Sequence, residues 1–339
     1  MKKSSKILAT ALMVSGVLVM LLALVSCGFN FGKLDTSDGE TSTYEIKEEF
    51  SNISVDIDTE DLIVDLTDGE YAVVVCENEK TAISHSVSVN NGTLEIRTVD
   101  ERKWYDHVNL FSFEKSKIKI SLPAGEYGDL TISADTSDIC IAKDFDFKSV
   151  DISLSTGDTK CYASASDFIK INASTGDIDV SGVDTGELEL SASTGHIGVS
   201  GCTADSATMR TSTGKINVSY LTVNNALSVS VTTGDVKIAN ATCGSLTTTG
   251  NTGDIKFENV IVAELMSIKR STGDVELLCC DAGEIAIDTG TGDVKASLLT
   301  DKIFIVRTDT GKINAPETTS GGKCKITTDT GNITVTIKN

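Results

Sequence analysis

The sequence predicts an all-β protein: a single-stranded parallel β-solenoid, or β-helix, with coils of 19–20 residues and two short strands per coil. Three observations predict it. A Thr-Gly phrase, most often Thr-Gly-Asp, recurs at steps of 19 or 20 residues, with its glycine at Gly157, Gly176, Gly195, Gly214, Gly234, Gly253, Gly273, Gly292, Gly311 and Gly331. On both sides of that glycine, apolar and polar residues alternate with period two, the mark of a half-buried strand. Finally, a unit of 19 or 20 residues cannot bury such a face alone, so the units must stack and pair their strands in parallel.

Taken in order, residues 1–27 are a targeting segment. Lys2, Lys3 and Lys6 precede an uncharged apolar run, 7–25, which ends in Leu24-Val25-Ser26-Cys27. This resembles a bacterial lipobox, in which Cys27 is lipidated and becomes the first mature residue. The competing reading is an uncleaved span, since 19 apolar residues are just long enough to cross a bilayer. The charge asymmetry places the remainder outside the cytoplasm in either case. Residues 28–44 read as a flexible tether.

Residues 45–136 read as irregular, capping coils. "FSNISVDIDTEDLIVDL" (50–66) alternates as one coil, with Glu60 in the glycine slot. "YAVVVCENEK" and "HSVSVNNGTLEIRT" are strands, the second folding back at Asn91-Gly92. "ERKWYDHVNLFSFEKS" (101–116) breaks the period and holds Trp104; it is expected to cap the first rungs.

The regular solenoid runs over 137–339, beginning with a degenerate copy whose slot holds Ser137. Two and four residues after each glycine the chain is apolar, as in Ile178 and Val180 or Val236 and Ile238. Seven and five before it the pattern recurs, as in Ile169 and Ile171 or Leu188 and Leu190. Another row, seven after the glycine, runs Ser164, Val183, Cys202, Leu221, Ala241, Val260, Cys280, Leu299 and fills a second corner. At ~4.8 Å per coil, ten coils make a rod about 50 Å long. The C-terminal "GNITVTIKN" stops on a strand with no evident cap. Either the last residues fold over that end, the simpler reading, or a partner adds there.

The phrase itself reads as architecture. Glycine supplies the positive φ that other residues resist, and Asp, Asn or Ser beside it can hydrogen-bond the backbone. A second reading is a calcium ladder on Asp235, Asp254, Asp274 and Asp293. It is interrupted elsewhere by His196, Lys215 and Lys312, and calcium takes six to eight oxygens. A water-ordering threonine face would need paired Thr, and one per coil recurs. No other cofactor is indicated.

Formal net charge is −20, which argues against nucleic acid, whose binding rests on Lys and Arg at phosphates. Besides Cys27 there are Cys76, Cys140, Cys161, Cys202, Cys243, Cys279, Cys280 and Cys324, with no CxxC and no zinc spacing. They read as mostly free core thiols, although Cys140 and Cys161 fall on adjacent coils, where one disulfide could form. His85, His107 and His196 combine with no nucleophile and oxyanion site. Enzyme action, in the manner of β-helices that cleave acidic polysaccharides, is therefore not expected.

The opening strand "FSNISVDIDTEDLIV", the "KISLPAG…LTISADTSDI" passage and the run of Thr-Gly-Asp turns together resemble the bacterial putative-adhesin domain family, a domain of unknown function, over about 45–339. The resemblance implies a β-solenoid behind a membrane anchor and supplies no catalytic residues. The resulting expectation is an extracytoplasmic, membrane-anchored, non-enzymatic protein at the cell surface, binding a surface polymer or protein. Alternatives are an envelope-stress scaffold or sensor bound to a membrane partner, and the polysaccharide-acting enzyme.

Overall fold

A computed structural model describes residues 40–79, 83–100 and 116–338. The expected leader, residues 1–27 with Cys27, residues 28–39 of the expected tether, and residues 101–115 with Trp104 and His107 lie outside the described residues.

Glycine and the flanking alternation produce a parallel stack of coils. Ile169 lies beside Leu188, Leu188 beside Ala207, and Ala207 beside Leu227 in successive coils. The buried side chains form one continuous hydrophobic cluster from the first coil to the last. In the Gly195 coil, Ile197 and Val199, then Cys202 and Ala204, then Ala207, Met209 and Thr211 point inward and are buried. The alternation breaks at residues 200–201 and again at 205–206. Each coil therefore has three extended faces: one on each side of the Thr-Gly-Asp turn, as read from the sequence, and a short one carrying the seventh-residue row.

The corner before that short face has its own rule. In the six coils from Gly176 to Gly273 the residue six after the motif glycine is left-handed: Gly182 and Gly201 at φ 68° and 65°, then Tyr220, Asn240, Asn259 and Cys279 at φ 53° to 54°. Glycine and asparagine suit this conformation, whereas Tyr220 and Cys279 do not. The remaining corner absorbs the difference between 19- and 20-residue steps. Ala204 pairs with Val223 but Ala207 with Leu227, so the extra residue is looped out between them. The seventh-residue row fails at Leu299, which is exposed, because Cys280 pairs with Leu298 instead.

The stacking order departs from chain order at both ends. The N-terminal strands are β1 (Glu40–Ile46), β2 (Asn52–Ile57), β3 (Asp61–Thr67), β4 (Ala72–Glu79), β5 (Ile83–Asn90), β6 (Thr93–Asp100), β7 (Lys117–Pro123), β8 (Glu126–Thr136) and β9 (Ile139–Ile141). The β2–β3 coil lies between the β6–β7 pair and the β8–β9 coil, with all four pairings parallel. Outside it, β4 runs antiparallel to β7, β1 antiparallel to β4, and β5 antiparallel to β6. The β5–β6 hairpin turns at Asn91 and Gly92, both at positive φ, as the sequence predicts. The tether reading needs correction: residues 40–44 belong to β1, which adds to β4 and buries Ile46. Phe50, Tyr127, Phe145 and Phe147 stack beneath this end with ring centroids 5.8 to 6.3 Å apart.

The C-terminal end mirrors this inversion. Strand Gly322–Thr330 pairs with Val275–Thr291 on one side and Lys302–Thr310 on the other. Ile333 and Thr334 likewise lie between Val294–Lys295 and Ile313–Asn314, while Val335–Ile337 pair with Ala296–Leu298 alone. The last coil in the chain is thus the penultimate layer, and the Lys302–Asn314 coil is the outermost. Ile333–Ile337 is thus a paired strand, covered on its outer edge at Ile333 and Thr334, rather than the raw end expected from the sequence.

Candidate functional site

The repeated phrase forms a ladder along one edge of the stack. The Gly157 amide donates to the Thr175 carbonyl at 2.9 Å and the Thr159 amide to the Asp177 carbonyl at 2.9 Å; the same pair of bonds recurs coil after coil. Glycine is required there for space as well as φ. At Gly234, with φ 139°, a Cβ would lie 1.7 Å from the Gly214 carbonyl oxygen.

The residue after glycine also has a structural task. Its side-chain acceptor takes the amide hydrogen of the equivalent residue one coil on. Asp158 Oδ1 accepts from the Asp177 amide at 2.8 Å, and Asp177 Oδ1 from the His196 amide at 2.7 Å. His196 Nδ1 accepts from the Lys215 amide at 2.9 Å. Asp235, Asp254 and Asp274 accept from the next Asp at 3.1, 2.9 and 2.8 Å, and Asp293 from the Asn332 amide at 2.7 Å. Lys215 interrupts the ladder, and its ammonium sits 2.9 Å from Asp235 Oδ2. This hydrogen bond holds the Asp235 carboxyl below the usual carboxylate range. The four candidate calcium ligands are therefore stacked in register, each with one oxygen committed to backbone. Among the described residues no group of three or more acidic, His or Cys side chains is arranged to hold a metal.

The inward row three before the glycine supplies donors to the turn carbonyls. The Thr211, Thr289 and Thr328 hydroxyls reach the carbonyls of Gly195, Gly273 and Gly292 at 3.1, 3.4 and 3.2 Å. Arg270 occupies this row too, and is buried. It donates to the Val231 carbonyl at 2.8 Å and the Gly234 carbonyl at 3.0 Å, two coils away. Gly250, in the intervening coil, makes this reach possible: a Cβ there would lie 1.8 Å from Arg270 Nη1. Burial pushes the Arg270 guanidinium down from its ordinary value, and Asp235 and Asp254 oppose this.

A second buried polar cluster sits in the first coil. Glu60 Oε2 accepts from the amides of Asp58 and Thr59 at 3.0 and 2.9 Å and from the Thr98 hydroxyl at 3.2 Å. Its Oε1 lies 3.4 Å from His85 Nε2, with both side chains enclosed. Burial pushes the Glu60 carboxyl up, and the His85 and backbone hydrogen bonds outweigh this, leaving it below its ordinary value. So enclosed, the pair is out of reach of a substrate.

Among the described residues the eight cysteines are free thiols, six buried and two, Cys140 and Cys279, half-buried. The suggested Cys140–Cys161 disulfide is corrected by the register. Cys140 pairs with Lys160 and Ile141 with Cys161, so the two side chains point to opposite faces. Burial pushes Cys161 up to about 12 and Cys280 up to about 11, which leaves both inert as nucleophiles.

The outward surface beside the turn ridge carries a groove of about 350 Å³ across four coils. Ser133, Ser153, Asn172 and Ser191 form one wall row, and Ser155 and Ser174 belong to the next. Alternation puts these small polar side chains outward, while Leu154 and Ala173 between them face the core. The groove thus presents hydroxyls and one carboxamide at the coil spacing, with the Asp135 carboxylate in its first coil 3.4 Å from the Ser155 hydroxyl. Sequence reading had found the turns but not this groove, whose signal is the repeated serine two and four residues before the glycine.

The family model described as Toastrack DUF4097 matches residues 50–241 and 224–339. Among solved structures the chain is similar to a putative adhesin from Bacteroides fragilis, with 16% identity, 88% of this chain and 97% of that one covered, and a TM-score of 0.36. It is also similar to a putative adhesin from Parabacteroides distasonis, with 16% identity, 71% and 98% covered, and a TM-score of 0.46. A putative lipid binding protein from the same species matches with 14% identity, 87% and 97% covered, and a TM-score of 0.39. No curated protein matches.

Proposed function

Since the chain belongs to the Toastrack DUF4097 family, we propose that it is an extracytoplasmic binding module, anchored to the membrane through residues 1–27, that holds an extended polar polymer at the cell surface. The groove from Ser133 to Ser193 carries this reading. It runs across coils rather than along one, so its hydroxyls repeat every ~4.8 Å. A ligand matching that period is itself linear and repetitive, such as a wall glycan. The net charge of −20 turns it toward neutral or cationic polymers. Its side chains are read as binding groups: the one carboxylate, Asp135, accepts from the Ser155 hydroxyl at 3.4 Å in an exposed position, and no His or Lys lines the groove to relay a proton.

The test uses the full chain in detergent micelles, retained on cell-wall preparations, purified glycans and matrix proteins. Saturable retention on a wall or glycan surface is expected. Ser153→Lys with Ser174→Lys, which fills the groove from outward positions, is expected to weaken retention at least about tenfold with an unchanged circular dichroism spectrum. Equal retention by the filled variant, or none by the native chain, contradicts the reading.

A further inference from the structure

The outermost coil departs from the rule that governs the others. Along Lys302–Thr310, Phe304 and Val306 occupy inward positions and are half-buried, while Ile303 and Ile305 face outward at 45% and 49% exposure. The neighbouring strand places Lys323 and Lys325 at the positions paired with those two isoleucines. Ile-Phe-Ile-Val is thus an uninterrupted apolar run, the composition of a strand covered on both faces and flanked on both edges. Yet it pairs with Gly322–Thr330 on one side, and among the described residues nothing pairs with the other. Natural proteins blunt such edges with charge, proline or a covering strand.

The opposite end is treated differently. There the parallel layers are closed by antiparallel β4, β1 and β5. Among the described residues the strand at that end, β1, pairs with β4 alone, and its mostly polar sequence, Glu-Thr-Ser-Thr-Tyr-Glu-Ile, does not match the apolar run of the Lys302–Thr310 strand. The same edge of a second copy offers a matching apolar run, Ile303–Val306.

We propose that the Lys302–Thr310 edge is a self-association surface, joining two copies of this chain tail to tail about a two-fold axis through Phe304. In an antiparallel pair centred there, Phe304 faces its counterpart, Ile303 faces Ile305, and the Lys302 stem lies against Val306. Asp301 then faces Arg307 of the other copy at both ends of the contact. Both are exposed, and among the described residues Arg307 pairs with Asp309 on its own strand, at 2.9 Å. Moving the centre one residue to Ile305 sets Asp301 against Asp309, like charges directly opposite, which is unfavourable. The charges thus select the Phe304 register. The inward faces of the two stacks merge, covering Phe304 and Val306, and the isologous contact closes on itself without forming a filament.

Sedimentation of the full chain in detergent, across a concentration series, tests this. The native chain is expected to be a dimer at micromolar concentration. Ile305→Lys is expected to weaken dimerisation at least about tenfold, whereas Leu265→Lys, at another exposed apolar site away from this edge, is expected to leave it unchanged. Arg307→Asp is expected to weaken the dimer and Asp301→Arg with Arg307→Asp to restore it. The restoration is a readout that general apolar clustering would not give. A native monomer, a dimer indifferent to Ile305→Lys, or failure of the double charge exchange overturns the proposal.

Discussion

Tyr220 and Cys279 hold left-handed backbone that their side chains disfavour, at the corner where sister coils use Gly182, Gly201, Asn240 and Asn259. Tyr220 is 67% exposed, so its ring contributes little packing to offset this. Tyr220→Asn is expected to raise stability by ~0.5–1 kcal/mol, measured by denaturant unfolding. The reverse change, Asn259→Tyr, is expected to lower it by a similar amount. Glu60 sets the acid limit. Its carboxyl is depressed in the folded state, so its contribution is present above the unfolded carboxylate value and is lost as pH falls through the folded one. Glu60→Gln is expected to cost ~3 kcal/mol at pH 7. The gap between variant and native chain is expected to narrow as pH falls from the ordinary carboxylate range through the lower folded-state value, which unfolding at a series of pH values reads directly. The left-handed corner was partly visible in the sequence, as Gly or Asn six residues after the glycine. Tyr220 and Cys279 hid it. Arg270 was visible only as an odd charge in an inward row, because the notch that admits it lies in the coil before, at Gly250.

At the scale of the coil, the Thr-Gly-Asp turn is a hydrogen-bond ladder whose side chains serve the next coil. The sequence placed the acceptor beside glycine but pointed it at its own backbone; the structure sends it to the next coil's amide. Asp254→Ala removes one rung and is expected to cost ~1 kcal/mol, whereas Lys215→Asp adds an acceptor but removes the ion pair with Asp235, so no net gain is expected. An equal response of both variants to calcium and to a chelator is expected if the ladder is architecture. A calcium-dependent rise in melting temperature lost only in Asp254→Ala contradicts it. The inward rows predict thiol behaviour as well. Cys140 and Cys279 are expected to label in the native state, and Cys76, Cys161, Cys202, Cys243, Cys280 and Cys324 only on unfolding. These rows were legible because period-two alternation assigns each residue a side; the Cys140–Cys161 pairing failed for the same reason, since adjacent coils bring together equal positions and these two differ by one.

At the scale of the whole stack, the solenoid was legible and the order of its layers was not. An inward row of Ile, Leu and Val fits against any other such row, so alternation cannot say which coil lies beside which. The inversions at both ends rest on pairings that only the folded chain displays, such as the Thr308 hydroxyl on the Gly331 carbonyl at 2.9 Å. Between those ends each coil contacts only its neighbours, so stability is carried in nearly interchangeable units. Deleting residues 196–214 removes one whole unit and joins Gly195 to Lys215, restoring a Thr-Gly-Lys turn in phase. Deleting 196–205 removes about half as much chain but puts every later inward row out of phase. The most direct measurement is the thermal unfolding of these two deletions beside the native chain, followed by circular dichroism. The larger deletion is expected to keep the β-spectrum and a cooperative transition within several degrees of native, while the smaller one unfolds. Equal loss in both, or better survival of the smaller deletion, contradicts a stack of repeating coils in register.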